Sequence, residues 1–344
     1  VQKTRNQDKI VVPNLNPFAA IGMMARRSLP EIDRSKGAGY LFYETTKGFN
    51  FRSWESLCVD KSGHMRDAKQ HFRYVQGNMP SEPGKKKSRA DVIEDAYKNV
   101  ESYRFISNFH DVAANTNLGT YGHRVITHNI YNKSYRKDDY HYHNRWNETN
   151  HLEDFPSIVD SPVDYDQIEG TPYQKGVSDY PEARVSLQAT TQFAHNEDTG
   201  SYGEPVDNDG ILTGARISQV NKILQGTQLE MTVNGQARLQ AGDVIDFDLQ
   251  SVQNRLDSQG GLDPQYSGRY IITSIRHRVA QEKFIQILIC VKDSSKSGYG
   301  YAGNKSFTEM AGEKRKRNSQ DINQSDDTPV LEAPKYKGTW HPGV

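Results

Sequence analysis

The feature that most constrains this fold is the alternation of apolar and polar residues between positions 183 and 294. Leu229, Met231 and Val233 alternate with polar neighbours, and the same pattern recurs over 244–249, which predicts strands with one buried face. The remaining elements predicted in this region are a helix over 211–224 and strands over 184–190, 270–278 and 283–292. One helix and about five strands are typical of a small antiparallel barrel or a strongly curved sheet.

A second structured region is predicted between Pro13 and Cys58. Asn16 and Pro17 are typical of a helix start, and the helix should end before Pro30. Three further elements are predicted behind this helix: strands over 39–43 and 48–51 that form a β-hairpin, and a short helix capped by Ser53. Between residues 90 and 130 the pattern is mixed. We predict a helical stretch over 92–100, a strand over 103–109 and an exposed strand within 119–130.

The segment 131–176 is rich in Tyr, Asn, His and Asp and poor in aliphatic residues. The whole chain has 344 residues, of which only 35% are hydrophobic and 19 are Tyr, and its mean hydropathy is -0.82. Such a segment has too few aliphatic residues to build a core by itself. We therefore expect it to be disordered or to be ordered by a neighbouring subunit, with Tyr contributing to wet interfaces.

These patterns predict an α+β fold that is mostly β: one or more small antiparallel barrels, a helix–hairpin segment and long irregular loops. Four regions are predicted: a helix–hairpin region at 1–130 that could include a partial barrel, a polar Tyr/His-rich arm or loop at 131–182, a β-barrel at 183–294 and a polar extended tail at 295–344. No repeat at the period of a solenoid or propeller is evident.

Two clusters of side chains are candidates for chemistry. His141 and His143 fall on one face of a predicted strand. Further potential metal ligands lie on either side, at Asp138, Asp139, His151 and Glu153. The alternative is an aromatic, polar interface loop in which the histidines hydrogen-bond to neighbours. We assign no metal and no cofactor to this cluster.

The second cluster contains the carboxylates Asp160, Asp164, Asp166 and Glu169. Paired carboxylates can cleave glycosidic bonds, but none of these four lies in an apolar pattern that would raise its pKa. A solvated acidic loop is the interpretation favoured here. The sequence also lacks the common phosphate-loop, zinc-protease and serine-hydrolase motifs, so no catalytic residue is assigned.

The charge and cysteine content exclude several classes of protein. The 43 basic and 43 acidic residues balance, so no overall field attracts the chain to nucleic acid or to an anionic membrane. The basic run at 85–87 is interpreted as a solvated loop in preference to a nucleic-acid or lipid contact. The run at 314–317 has two interpretations, a nucleic-acid contact or a flexible tail held by charge against another subunit. Cys58 and Cys290 are expected to be buried reduced thiols, consistent with synthesis in a cytoplasm. No signal peptide or membrane anchor is expected.

Three stretches resemble one known family. The run AGYLFYETTKGFNFRS at 38–53, with the helix before it, resembles the middle segment of baseplate hub proteins of T4-type contractile-tail phages. The runs LQAGDVI at 239–245 and SGRYIITSIRH at 267–277 resemble the C-terminal tube domain that phage hubs share with type VI secretion spike proteins. The resemblance covers residues 13–58 and 183–294.

The resemblance implies a structural protein of the virion rather than an enzyme. Hubs of this family are trimers in which two similar tube domains per subunit mimic a sixfold ring, so that the sixfold tail tube is adapted to a threefold spike. The implied partners are two further copies of the chain, the tail tube or tube-initiator protein, the central spike, and baseplate wedge or tape-measure proteins. DNA would pass through the ring without specific binding.

Two departures from the family pattern are evident. No complete first tube domain precedes Pro13, and segment 131–176 has no recognised counterpart in the family. Two alternatives therefore remain open: a cell-wall hydrolase of the tail tip, and a different structural component of a baseplate or injection system.

Overall fold

The structure is a computed structural model. It describes residues 1–5, 10–32, 35–74, 88–107, 111–130, 133–158, 177–190, 194–196, 201–203, 209–250, 262–263, 265–281 and 283–296.

The described residues form five α-helices: α1 Pro17–Arg27, α2 Trp54–Cys58, α3 Arg89–Lys98, α4 Val112–Asn117 and α5 Gly210–Gln225. They also form fifteen strands: β1 Tyr40–Thr45, β2 Gly48–Ser53, β3 His71–Tyr74, β4 Val100–Ser107, β5 Gly122–Asn129, β6 Ser134–His141, β7 Phe155–Pro156, β8 Val185–Thr190, β9 Ala194–Asn196, β10 Ser201–Gly203, β11 Thr227–Asn234, β12 Val244–Leu249, β13 Gly268–Ala280, β14 Lys283–Lys292 and β15 Ser294–Ser295. Short 3-10 turns occupy Trp146–Glu148, Val177–Asp179 and Pro181–Ala183.

The largest sheet has six strands in the order β3-β12-β13-β14-β11-β4. A bridge between Arg73 and Asn99 joins its two ends, so the sheet curves into a nearly closed barrel. Alternate residues point inward: Leu229, Met231 and Val233 of β11 are completely buried, as the period of two predicts. The apolar interior contains Phe72, Val100, Leu229, Met231, Val233, Leu239, Ile245, Phe247, Leu249, Tyr270, Ile272, Leu288 and Cys290.

A barrel-like sheet is present as predicted, but its strands differ from the predicted set. Strand β8, expected within it, instead pairs in parallel with β5 in a separate three-stranded sheet of order β6-β5-β8. Strands β3 and β4 complete the barrel from the N-terminal part of the chain, and β3 runs parallel to β12. The mostly β fold with few helices is confirmed.

The N-terminal elements confirm their predictions closely. The side chain of Asn16 accepts a hydrogen bond from the backbone N–H of Ala19 at 2.8 Å, which caps α1. Strands β1 and β2 form the expected hairpin, and Ser53 caps α2 through the N–H of Ser56. Helix α2 packs against the outside of the barrel. The shared apolar cluster consists of Ile32, Trp54, Leu57, Cys58, Val59, Leu152, Val244, Ile271 and Val291.

Strand β5 corrects the expectation of an exposed strand within 119–130. Val125, Thr127 and Asn129, which defined the alternation, are all buried. They are buried because β5 is the central strand of its sheet and α5 packs against β5 and β6. The alternating polar residues therefore line a polar interior rather than a solvated face.

Residues 133–158 correct the expectation that segment 131–176 needs a partner to become ordered. This part of the segment folds on its own chain, and its aromatic side chains supply the core that aliphatic residues would normally provide. Tyr140, Tyr142 and Trp146 cluster with Tyr121 and with Ala215 of α5. Residues 159–176 and 297–344, including the predicted tail, lie outside the described residues.

Candidate functional site

The two histidines of the predicted metal cluster are engaged in hydrogen bonds. The Nδ1 atom of His141 lies 3.0 Å from the carbonyl oxygen of Ser178. Both ring nitrogens of His143 have partners: Nδ1 lies 2.5 Å from the Ser178 hydroxyl, and Nε2 lies 2.9 Å from the carbonyl oxygen of Ile158. These contacts fit the alternative interpretation, in which the histidines hold neighbouring loops together.

The other members of that cluster point to different partners. Asp139 forms a bidentate pair with Arg124 at 2.7 and 2.9 Å, whereas Asp138 bonds to Arg136 at 2.8 Å. His151 contacts Asp293 at 2.8 Å, and Glu153 accepts a hydrogen bond from the backbone N–H of Arg269 at 2.8 Å. Across the described ranges, no group of three or more His, Cys, Asp or Glu residues is arranged to hold a metal ion.

The remaining sequence candidates are distributed as follows. Asp160, Asp164, Asp166 and Glu169 lie outside the described residues, as do the basic runs at 85–87 and 314–317. Cys58 and Cys290 are buried and free, which confirms their prediction. In the part of the chain that the structure describes, no helix has the length and apolarity needed to cross a bilayer.

The most unusual chemistry of the molecule is a buried polar cluster between α5, the loop 142–153 and the end of β14, which sequence reasoning missed. At its centre the carboxylate of Asp293 lies 2.8 Å from His151 Nδ1. The same carboxylate accepts hydrogen bonds from the backbone N–H of Leu152 at 3.2 Å and from the Ser294 hydroxyl at 2.7 Å. Asp293 and His151 are 142 positions apart, so no local pattern could have paired them.

Electrostatics explains the charge states in this cluster. Burial alone would raise the pKa of Asp293, but the hydrogen bond from His151 and the positive charge of Lys222 together lower it below its usual range. Burial lowers the pKa of His151, so its imidazole is neutral and Nδ1–H donates to Asp293. Burial also lowers the pKa of Lys222 to about 8, although Asp293 opposes that change.

Aromatic rings surround the two basic groups of the cluster. The Lys222 ammonium lies 4.1 Å from the ring centroid of Tyr142 and 5.2 Å from that of Trp146. The Trp146 ring also stacks on the imidazole of His151, with their centroids 3.5 Å apart. Ring faces stabilise a desolvated cation, which explains how α5 can carry a lysine on its buried side.

A second buried lysine lies at the end of β14. Lys292 donates hydrogen bonds to the carbonyl oxygens of Ser267 at 2.6 Å and Gln265 at 3.2 Å. Burial lowers its pKa to about 8, and the carboxylate of Glu153 opposes this change. Gly268 has φ +121°, and a Cβ there would lie 2.6 Å from Glu153 Oε1, so this turn requires glycine.

Thr149, His151 and Asp293 follow one another in the hydroxyl–imidazole–carboxylate order of a catalytic triad. The hydroxyl of Thr149 lies 2.9 Å from His151 Nε2, opposite the Asp293 contact. Acyl transfer would also need a substrate site beside the hydroxyl and backbone N–H groups that could stabilise an oxyanion. The adjacent N–H of Asn150 is already bonded to Glu55 Oε1 at 3.0 Å. The arrangement therefore fits a structural connection better than a reaction centre.

Two clefts on the described part of the surface lie away from this cluster. One, of about 530 Å³, is lined by α3 and the turn after β11, including Tyr97 and Arg238. Another, of about 410 Å³, includes Arg52 and Arg66. Neither is lined by His151 or Thr149.

No protein-family model matches the sequence, and no curated protein is significantly similar to it.

Proposed function

We propose that this chain is the structural hub of a contractile-tail baseplate, working as one of three identical subunits. In this proposal it adapts a sixfold tail tube to a threefold spike and surrounds the passage for DNA. Its partners would be the tail tube or tube-initiator protein, the central spike, and wedge or tape-measure proteins, with the virion tail as its location. The role is mechanical and not enzymatic.

One observation carries the proposal: the two segments that resemble hub proteins pack against each other. Residues 13–58 and 183–294 are separated by more than a hundred positions, yet Trp54 and Leu57 share a buried apolar cluster with Val244, Ile271 and Val291. The resembling runs at 239–245 and 267–277 lead into β12 and β13 of the barrel. The stretch that resembles the hub's middle segment and the stretches that resemble its tube domain therefore belong to one packed unit, which supports the proposal.

Exposed apolar side chains support assembly with other subunits. Phe18 of α1 is 74% exposed and Phe49 of the hairpin 67%, while Leu187 on the outer strand β8 is 74% exposed. Among the described residues, strand β8 pairs with β5 and lies at the edge of its sheet, where backbone groups can pair with another strand. Surfaces of this kind are typical of proteins that function in complexes.

Light scattering of the purified chain tests the proposal. We expect a mass near three times 39.0 kDa for the chain alone, or a complex that contains three copies of the chain when a spike protein is added. A stable monomer in both conditions would contradict the proposal, as would release of soluble fragments from purified cell walls. A sixfold mass would favour a wedge component over a hub.

A further inference from the structure

The side chain of Glu55 joins three separate segments of the chain. Glu55 lies in α2 and is only 1% exposed. Its Oε1 atom accepts hydrogen bonds from the backbone N–H of Asn150 at 3.0 Å and from Gln219 Nε2 at 3.4 Å, and its Oε2 atom is hydrogen-bonded to the Ser35 hydroxyl, which accepts when the carboxyl is protonated and donates when it is not. These partners lie before the hairpin, in the loop 142–153 and in α5.

Gln219 extends this connection to the chain that enters the hairpin. Its Oε1 atom accepts hydrogen bonds from the N–H of Gly39 at 2.9 Å and of Ala38 at 3.3 Å. A Cβ at Gly37 would lie 2.5 Å from Glu55 Oε1, so the backbone can approach the carboxyl only because this residue is glycine. One carboxyl thus holds the helix–hairpin unit, residues 35–58, to α5 and to the loop.

We propose that Glu55 is a proton-controlled latch: its protonated carboxyl keeps residues 35–58 closed against α5 and the loop 142–153, and loss of the proton loosens that contact. This regulation goes beyond the proposed structural role and does not depend on it.

The direction of the effect follows from burial. Burial raises the pKa of Glu55 from 4.5 to about 7, and the hydrogen bonds from Ser35, Asn150 and Gln219 offset only part of this rise. The closed state therefore holds a proton that the open or unfolded chain releases above pH 4.5. Its contribution to stability is full at low pH and is lost as the pH rises through about 7.

The charged groups that surround Glu55 have other partners. Lys36 and Arg145 both pair with Glu148, Lys36 at 3.1 Å. Arg52 and Arg66 both donate to the carbonyl oxygen of Ser56, and Arg216 donates to that of Arg26. Lys222 and His151 face Asp293. The thiol of Cys58 stays neutral, because burial raises its pKa and the charges of Asp293 and Glu55 raise it further. A Glu55 carboxylate formed at high pH would therefore have to take a cation from one of these contacts, or remain buried without one.

Hydrogen–deuterium exchange of the full chain at pH 6 and pH 8 tests the latch. The reporting amides are those of Gly39 and Asn150, which bond to Gln219 and Glu55, and barrel amides of β11 serve as the internal reference. After correction for intrinsic exchange, wild-type protection at the two amides should fall by about tenfold from pH 6 to pH 8. The Glu55→Gln variant keeps the shape without the titration and should show no such fall.

Two further measurements make the result decisive. Glu94→Gln, which changes a 64% exposed carboxyl side chain, should behave as wild type. An equal fall in protection of the β11 amides, or equal behaviour of wild type and Glu55→Gln, would overturn the proposal. If Glu55→Gln does not fold, infrared difference spectra of wild type decide: loss of a protonated-carboxyl band between pH 6 and 8 supports the latch, and absence of that band at pH 6 overturns it.

Discussion

The barrel interior and the cluster around Asp293 are two cores built on opposite principles. The barrel is filled by apolar side chains such as Phe72, Met231 and Phe247, and its stability comes from removing their surface from water. The second core contains Asp293, His151 and Lys222, each at least nine-tenths buried, and it depends on each charge finding a specific partner.

This difference separates tolerance from specificity. An apolar core accepts many side chains of suitable volume, so the loss of unfolding free energy on a core substitution depends mainly on the volume removed. A buried ionic cluster accepts only its own geometry, because removal of one partner leaves the other charge uncompensated. The barrel provides the larger apolar core, and the polar cluster joins the loop 142–153 and α5 to the end of β14.

The largest expected effect is in the barrel. Phe247→Ala removes a completely buried ring that contacts Tyr103 and Tyr270, and should lower the free energy of unfolding by about 3–5 kcal/mol. Urea denaturation followed by circular dichroism measures the change. Phe247→Leu keeps most of the volume and should cost roughly 1 kcal/mol. Equal losses for the two variants would mean that volume does not control this core.

The two cores also differ in what the sequence could predict. Strand β11 and the cap of α1 were predicted because Leu229, Met231 and Val233 alternate and Asn16 precedes a proline, and these signals span only a few residues. Strand β3 was missed because it has four residues, with Phe72 alone fully buried, and its pairing with β12 crosses more than 170 positions. Such non-local pairing leaves no periodic signal.

The polar cluster could not be predicted because a buried charge and a solvated charge look alike in sequence. Lys222 falls within an amphipathic helical pattern, where a lysine usually marks the solvated face. Asp293 follows a strand directly, which is a common place for an exposed carboxylate. The Tyr-rich segment 131–176 was expected to contribute to an interface, but the structure places Tyr142 and Trp146 inside the same chain, against α5.

The next largest effect tests the ionic cluster. Asp293→Asn leaves the Lys222 ammonium buried without a counter-charge and gives His151 Nδ1–H a neutral acceptor instead of a carboxylate, so it should cost about 2–4 kcal/mol of unfolding free energy at pH 7. The native pKa of Asp293 lies below its usual range, so its contribution is present above pH 3.8 and is lost as the pH falls further. The deficit of the variant should therefore shrink in urea denaturation at pH 3.

A matched control is available on the surface. Asp60, whose side chain is 52% exposed, also accepts hydrogen bonds from backbone N–H groups, namely those of Ser62 and His64. Asp60→Asn should change the unfolding free energy by less than about 0.5 kcal/mol. A loss as large as that of Asp293→Asn would show that burial does not distinguish the two carboxylates.

A smaller effect comes from Lys222→Met, which keeps the volume and removes the cation. At pH 7 the variant avoids desolvation of the ammonium but leaves the Asp293 carboxylate with hydrogen-bond donors and no cation, so we expect a net loss of about 1–2 kcal/mol. Burial lowers the native pKa of Lys222 to about 8 from 10.5, so the wild type should gain stability between these values as the pH rises. Between pH 7 and pH 9.5 the wild type should gain about 1–2 kcal/mol relative to the variant in urea denaturation. Parallel stability curves for the two proteins would contradict this.

The smallest effect concerns the link between the two cores. Ser53 is fully buried and caps α2, the helix that brings Trp54 to the barrel and Glu55 to the polar cluster. Ser53→Ala removes the acceptor for the N–H of Ser56 and should cost about 1 kcal/mol. Asn16→Ala removes a similar cap from α1, which has no buried residue, and should cost less because water can replace it. Thermal unfolding of the two variants side by side measures the difference, and a greater loss for Asn16→Ala would mean that α1 contributes more to the folded chain than its exposure indicates.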